Sequence, residues 1–183
     1  MKKLYGCMIC LVILSCTVHR NIQIENKTEM QLKEFYSGKS IESFLIVKDF
    51  NAFKTLNDSN RITIPQNIVF DENGFEIEHF NEKLCANLTL DFLKNYNSKT
   101  ELKLTKYNIR DYLKNFVLVD SKNLKIEEII EDKRIRIFVN SATYGEKPNV
   151  NQEAFEIYNN YKDKFKIYVV NLDVGTWNSI GNN

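Results

Sequence analysis

The chain is predicted to fold as α/β, a sheet with flanking helices, and three stretches carry that expectation. The first is the C-terminal third: a strand over Arg134–Val139, a polar turn, a helix from about Asn151 to Lys164 and a strand over Lys166–Leu172. Both strands are rich in Ile, Val, Tyr and Phe with little polar alternation, as in strands covered on both faces of a parallel sheet. A strand, crossover helix and strand of this size reads as a right-handed βαβ unit. The second is RITIPQNIVFDENGFEIEH, from Arg61 to His79, where Asn73-Gly74 between two β-branched and aromatic runs signals a hairpin. The third is the recurrence of Leu84, Leu88, Phe92, Leu93 and Tyr96 at helical spacing, which packs a helix after that hairpin.

The remaining elements follow in chain order. A short helix over Lys27–Tyr36 stops at Ser37-Gly38, and a strand over Ser43–Lys48 comes next. A further helix is expected around Tyr107–Phe116, leading into Val117-Leu118-Val119-Asp120. LKIEEIIED, after a turn at 121–123, fits strand, helix or both. The C-terminal helix places Ala154, Phe155, Tyr158, Tyr161 and Phe165 on one face. Glu127, Glu128, Glu131 and Asp132 followed by Lys133, Arg134 and Arg136 read as a solvated charged face.

The N-terminus points to a destination. MKKLYGCMICLVILSC sets Lys2 and Lys3 before an apolar run of eleven residues, Leu4–Leu14. That run is too short for the roughly 20 residues a bilayer-spanning helix needs, and it has the layout of a secretory signal. Its end, Ile13-Leu14-Ser15-Cys16, resembles the lipobox of bacterial lipoproteins. The resemblance implies cleavage after residue 15 and a lipidated Cys16, whose several acyl chains hold a membrane where one would not. Residues 1–15 are thus expected to be the signal peptide, 16–26 a lipidated tether and 27–183 a single α/β domain of a bacterial cell-envelope protein.

Charge and cysteine content exclude several classes. The full chain carries 25 Lys and Arg against 24 Asp and Glu, and losing Lys2 and Lys3 with the leader turns its formal charge from +1 to −1. Without a basic excess or stripe, nucleic acid is not an expected partner. Of the 4 cysteines, Cys7 and Cys10 leave with the signal and Cys16 takes lipid, so Cys85 is the remaining thiol and no intramolecular disulfide can form.

Cys85 opens a predicted helix, where backbone N–H groups can lower a thiol pKa, yet a lone cysteine more often packs as a small apolar residue. An intermolecular disulfide is the third option in an oxidising compartment. His79 lies six residues before it, but no third orienting group accompanies the pair, and His79 with Glu76 and Glu78 makes a poor metal set. No glycine-rich phosphate loop or Ser/His/Asp order points to a cofactor or to hydrolysis. The triplets at Asn26, Asn57 and Asn87 satisfy a glycosylation sequon, as an Asn-rich chain does by chance. Trp177 reads as packing of the C-terminal tail.

FVNSATYGEKPNVNQEAF, residues 138–155, gives a more specific lead. Residues 116–173 resemble the first half of membrane-tethered thioredoxin-like proteins and redoxins, where a strand ending in Ala-Thr-Trp runs into Cys-x-x-Cys at a helix start. Here Ala142-Thr143-Tyr144 is followed by Gly145-Glu146-Lys147-Pro148, so Gly145 and Pro148 stand at the two cysteine positions. The resemblance therefore implies a redox fold without its nucleophile, since neither residue supplies a thiolate.

The second half of that family opens with an apolar residue and a cis-proline, and Ile64-Pro65 leading into the hairpin at 67–77 is similar to it, which implies a cis bond at Pro65. This half precedes the first in the chain. Either the elements are permuted around one sheet or one of the two matches is accidental. The function implied is a membrane-tethered binding or assembly module with an unnamed protein partner. The competing reading is a thiol-dependent enzyme or redox relay acting through Cys85.

Overall fold

In the computed structural model, residues 27–64, 66–78, 86–97, 99–120, 124–143 and 151–173 are described. Along the chain they form α1 (Glu29–Ser37), β1 (Ser43–Val47), α2 (Phe50–Asp58), β2 (Asn67–Phe70), β3 (Phe75–Ile77) and α3 (Ala86–Asn95). There follow β4 (Leu104–Asn108), α4 (Ile109–Leu113), β5 (Phe116–Asp120), α5 (Ile126–Glu131), β6 (Arg136–Ser141), α6 (Gln152–Tyr161) and β7 (Lys166–Asn171). The strands make one seven-stranded mixed sheet in the order β4-β3-β2-β6-β7-β1-β5. Its centre is parallel, with β7 between β6 and β1, and antiparallel strands close both flanks. The fold is therefore α/β with flanking helices, as the sequence predicts.

Side-chain alternation along the central strands builds two cores. Ile137, Val139, Ile167 and Val169 join one cluster, to which α1, α3 and α6 contribute Leu32, Tyr36, Leu93, Ala154 and Ile157. Phe138, Tyr168 and Val170 join the other, closed by Ala52 and Leu56 of α2, Tyr112 of α4 and Ile129 of α5. With three helices on each face, every residue of β6 is buried, and so is every residue of β7 after Lys166. That is why neither strand shows a polar alternation.

Local chemistry sets the ends of the elements. A capping box formed by Thr28 and Gln31 starts α1, and the Asp49 carboxylate accepts from Ala52 N at 2.7 Å to start α2. In the hairpin loop the Asp71 carboxylate accepts from Asn73 N and Phe75 N, at 3.0 and 2.7 Å, and Gly74 takes φ +87. A Cβ at Gly74 would come 2.8 Å from Cγ2 of Ile109, so this corner tolerates no side chain in place.

Two expectations are revised. The helix anticipated around Tyr107–Phe116 is short: β4 takes the chain to Asn108, whose side chain accepts from Arg110 N, and α4 ends at Leu113. Arg136 is not part of a solvated charged face. It is fully buried on β6, and its guanidinium donates to the carbonyls of Ile130 and Asp132 at the end of α5 and of Asp71 in the hairpin loop. LKIEEIIED resolves into helix, because α5 buries Ile129 against the second core.

Candidate functional site

The strands β6, β7 and β1 run parallel, so their carboxyl ends share one edge of the sheet. After β6 the chain goes to α6 on one face, and after β1 it goes to α2 on the other. The carboxyl edge of the parallel strands is the customary ligand position in open α/β sheets. A polar cluster is buried there. Asn171, the last residue of β7, donates from Nδ2 to the Tyr36 hydroxyl at 3.0 Å and to Asp173 Oδ2 at 3.0 Å. Tyr36 in turn donates to Ser141 Oγ, the last residue of β6, at 3.3 Å.

The carboxylate of Asp173 fixes the chain where it leaves β6, accepting from Thr143 N at 2.9 Å. Asn151, at the start of α6, clasps Ala142 from the other side, accepting from its N at 3.2 Å and donating to its carbonyl at 2.6 Å. Tyr36, Ser141 and Asn171 have no exposed surface. Burial pushes the Tyr36 phenol well above its ordinary value, although the bonds to Ser141 and Asn171 act the other way. Its proton stays in place at any physiological pH.

A second polar group ties the start of the hairpin to the same strand. Asn140 of β6 donates from Nδ2 to the carbonyls of Arg61 and Thr63, at 3.2 and 3.0 Å, and its N–H donates to Gln66 O at 3.2 Å. The residues on either side of position 65 are thereby held beside β6 two residues before Ala142. The Asn140 Oδ1 atom is buried without a partner. Behind this loop Arg61 makes a two-pronged contact to Glu76, at 3.2 and 2.8 Å, under the Tyr107 ring at 3.9 Å. Thr105 Oγ1 adds a third bond to Glu76 at 3.1 Å. The group is a structural clamp, since both charges are buried and paired with each other.

On the opposite edge, Ser43, Lys162, Lys166 and Tyr168 border a depression of about 260 Å³. Its charges are mixed, with Asp163 also on its wall and Lys166 Nζ 3.6 Å from Asp132. No three His, Cys, Asp or Glu side chains gather for a metal ion among the described residues.

Cys16, Pro65, His79, Cys85, Gly145, Pro148 and Trp177 lie outside the described residues. The cluster at the carboxyl edge was not anticipated. Its signal in the sequence is that each long apolar strand closes on small polar residues, Asn140-Ser141 at the end of β6 and Asn171 at the end of β7 with Asp173 just beyond. No known protein family matches the chain, and no curated protein or solved structure matches it.

Proposed function

We propose that the protein is a lipid-anchored component of a bacterial envelope whose globular part is a thioredoxin-like sheet in permuted order, lacking the redox cysteine pair and acting by binding. The observation that carries this reading is the adjacency of the two family halves. The strand–helix–strand half, β6-α6-β7, lies directly beside the hairpin half, β2-β3, which α3 follows. Asn140 moreover pins Arg61, Thr63 and Gln66 next to the segment that runs toward Gly145 and Pro148. Permutation of the chain order accounts for both sequence matches at once. The anchor rests on Ile13-Leu14-Ser15-Cys16, and no helix among the described residues is long and apolar enough to cross a membrane.

Two measurements test the reading. The intact mass of the protein recovered from a bacterial membrane should show residues 1–15 removed and acyl chains on Cys16, and Cys16→Ser should release the chain from the membrane fraction. In an insulin-reduction assay with dithiothreitol the protein should give no rate above buffer. Robust turnover there, or rapid alkylation of Cys85 below the ordinary thiol pKa of about 8.5, would instead establish the thiol-dependent alternative.

A further inference from the structure

Of the 6 glycines in the chain, only Gly74 follows an asparagine, and the fold leaves it no substitute. Its φ is +87, and a Cβ would meet Cγ2 of Ile109 at 2.8 Å. The hairpin corner therefore retains an Asn-Gly step. With no Cβ on the glycine, its main-chain nitrogen has the least obstructed approach to the asparagine side-chain amide. Asn73 is exposed, so water reaches that amide.

The closed loop holds that nitrogen in the wrong place for attack. Gly74 N donates to Asp71 O at 3.1 Å and closes a four-residue turn. Glu72 and Asn73 both have negative φ, since Ser40 and Asn60 are the only non-glycine residues with positive φ among the described residues. A hydrogen-bonded turn of that kind is type I, with ψ of about 0° at its third residue. At that angle Gly74 N eclipses Asn73 N, whereas closing a five-membered ring on Asn73 Cγ needs it on the Cβ side. The Asp71 carboxylate opposes the rotation, accepting from Asn73 N at 3.0 Å, from Asn73 Nδ2 at 3.4 Å and from Phe75 N at 2.7 Å. Ile109 N donates to Gly74 O at 2.8 Å, and Arg136 donates to Asp71 O, so the loop is held from outside as well.

We propose that Asn73 is a deamidation site which the closed hairpin keeps latent and which opening of the loop releases. On opening, Gly74 N attacks Asn73 Cγ. The new C–N bond forms as the bond to Nδ2 breaks, and the side-chain nitrogen leaves as ammonia with the Gly74 proton. Water then opens the cyclic imide at either carbonyl, giving aspartate or isoaspartate. Isoaspartate inserts a methylene into the main chain, where the turn and the Ile109 contact fix the spacing from Asp71 to Phe75. Either product also sets a new carboxylate beside Asp71 and Glu72. The corner does not close around isoaspartate, so the reaction makes an opening of the hairpin one-way.

The test follows conversion at Asn73 by peptide mass mapping in the full chain, held in mildly alkaline buffer with or without unfolding urea. Isoaspartate is distinguished from aspartate by enzymatic methyl transfer. Conversion should be roughly tenfold or more faster in urea, because in buffer only the opened fraction of the loop reacts. Asp71→Ala removes the carboxylate that accepts Asn73 N, Asn73 Nδ2 and Phe75 N, and should raise the rate in buffer roughly fivefold or more. Asp71→Asn keeps an acceptor oxygen and should stay near the native rate. Asn140, buried on β6 before Ser141, is the control for global unfolding, and its conversion should not rise in Asp71→Ala. The isolated isoaspartate form should have a lower urea midpoint than the native chain. Equal rates at Asn73 in buffer and urea would overturn the proposal, as would a folded Asp71→Ala converting at the native rate or an isoaspartate form with the native midpoint. If Asp71→Ala unfolds, shown by a rise at Asn140, the comparison of buffer with urea in the native chain decides.

Discussion

Two tyrosines in this chain differ in one respect that decides the sign of the same substitution. Tyr36 and Tyr112 are both fully buried, and both side chains end in a hydroxyl surrounded by protein. The Tyr36 hydroxyl holds Ser141 and Asn171, at 3.3 and 3.0 Å, whereas the Tyr112 hydroxyl has no partner. Replacing Tyr36 by Phe removes two bonds and leaves Ser141 Oγ in the interior without its donor. Asn171 Nδ2 keeps its bond to Asp173, so one orphaned group and one weakened one remain. At about 1–3 kcal/mol for an orphaned buried group, Tyr36→Phe should destabilise by about 2 kcal/mol. Tyr112→Phe removes a hydroxyl whose desolvation nothing offsets, in a nest of Phe70, Phe116 and Phe138 rings. It should be neutral or stabilising, by about 1 kcal/mol. Urea denaturation followed by circular dichroism resolves the difference: at a slope of roughly 2 kcal/mol/M, the two midpoints separate by about 1.5 M. Equal shifts in the same direction would refute the hydrogen-bond assignment at the carboxyl edge.

Other perturbations follow from the same physical terms. Gly74→Ala combines a left-handed backbone with a 2.8 Å approach to Ile109, and should cost about 3 kcal/mol; adding Ile109→Ala should recover part of that in a double-mutant cycle. Arg61→Met alone strands the buried Glu76 carboxylate and should cost about 3–5 kcal/mol, whereas Arg61→Met with Glu76→Leu should lie far closer to the native midpoint. For Asp132, burial raises the carboxyl pKa, but hydrogen bonds from Arg134 and the charges of Arg134 and Lys166 outweigh it and hold the group below its ordinary range. A depressed folded pKa gives stability that is present above the unfolded value of about 3.9 and is lost as pH falls through the folded one. Asp132→Asn should therefore lower the urea midpoint at pH 5–7 and match the native chain near pH 2. The Tyr168 phenol, pushed up to about 12 mainly by burial, should ionise well after exposed tyrosines in an ultraviolet titration.

The sequence was most informative where a single element carries its own pattern. β6 and β7 are unbroken apolar runs because helices cover both their faces, and Asn73-Gly74 marks the hairpin because only glycine fits beside Ile109. The helix α2 was also legible in principle: Asp49 caps it, and Ala52, Phe53 and Leu56 recur at its period. β4 was not, since Leu-Thr-Lys-Tyr-Asn becomes a strand by pairing with β3 across an irregular register. Arg136 sits amid charged residues in sequence, and the three carbonyls that receive it are decided only when α5 and the hairpin loop converge on β6. The carboxyl-edge cluster is similarly remote from local pattern, because Tyr36 lies 105 residues from Ser141 and 135 from Asn171.

The form of that cluster determines what it does for the backbone around it. Here Asn171, Tyr36 and Ser141 are engaged with one another, Asp173 is committed to Asn171 and Thr143, and Asn151 is committed to both sides of Ala142. These residues fix the two points, after Thr143 and after Asp173, at which the chain leaves the parallel strands. A buried, mutually satisfied network rigidifies the backbone that it holds. The network therefore makes the carboxyl edge a fixed platform. Asp173→Ala removes the acceptor shared by Thr143 N and Asn171 Nδ2 and should therefore loosen this platform and lower the urea midpoint together.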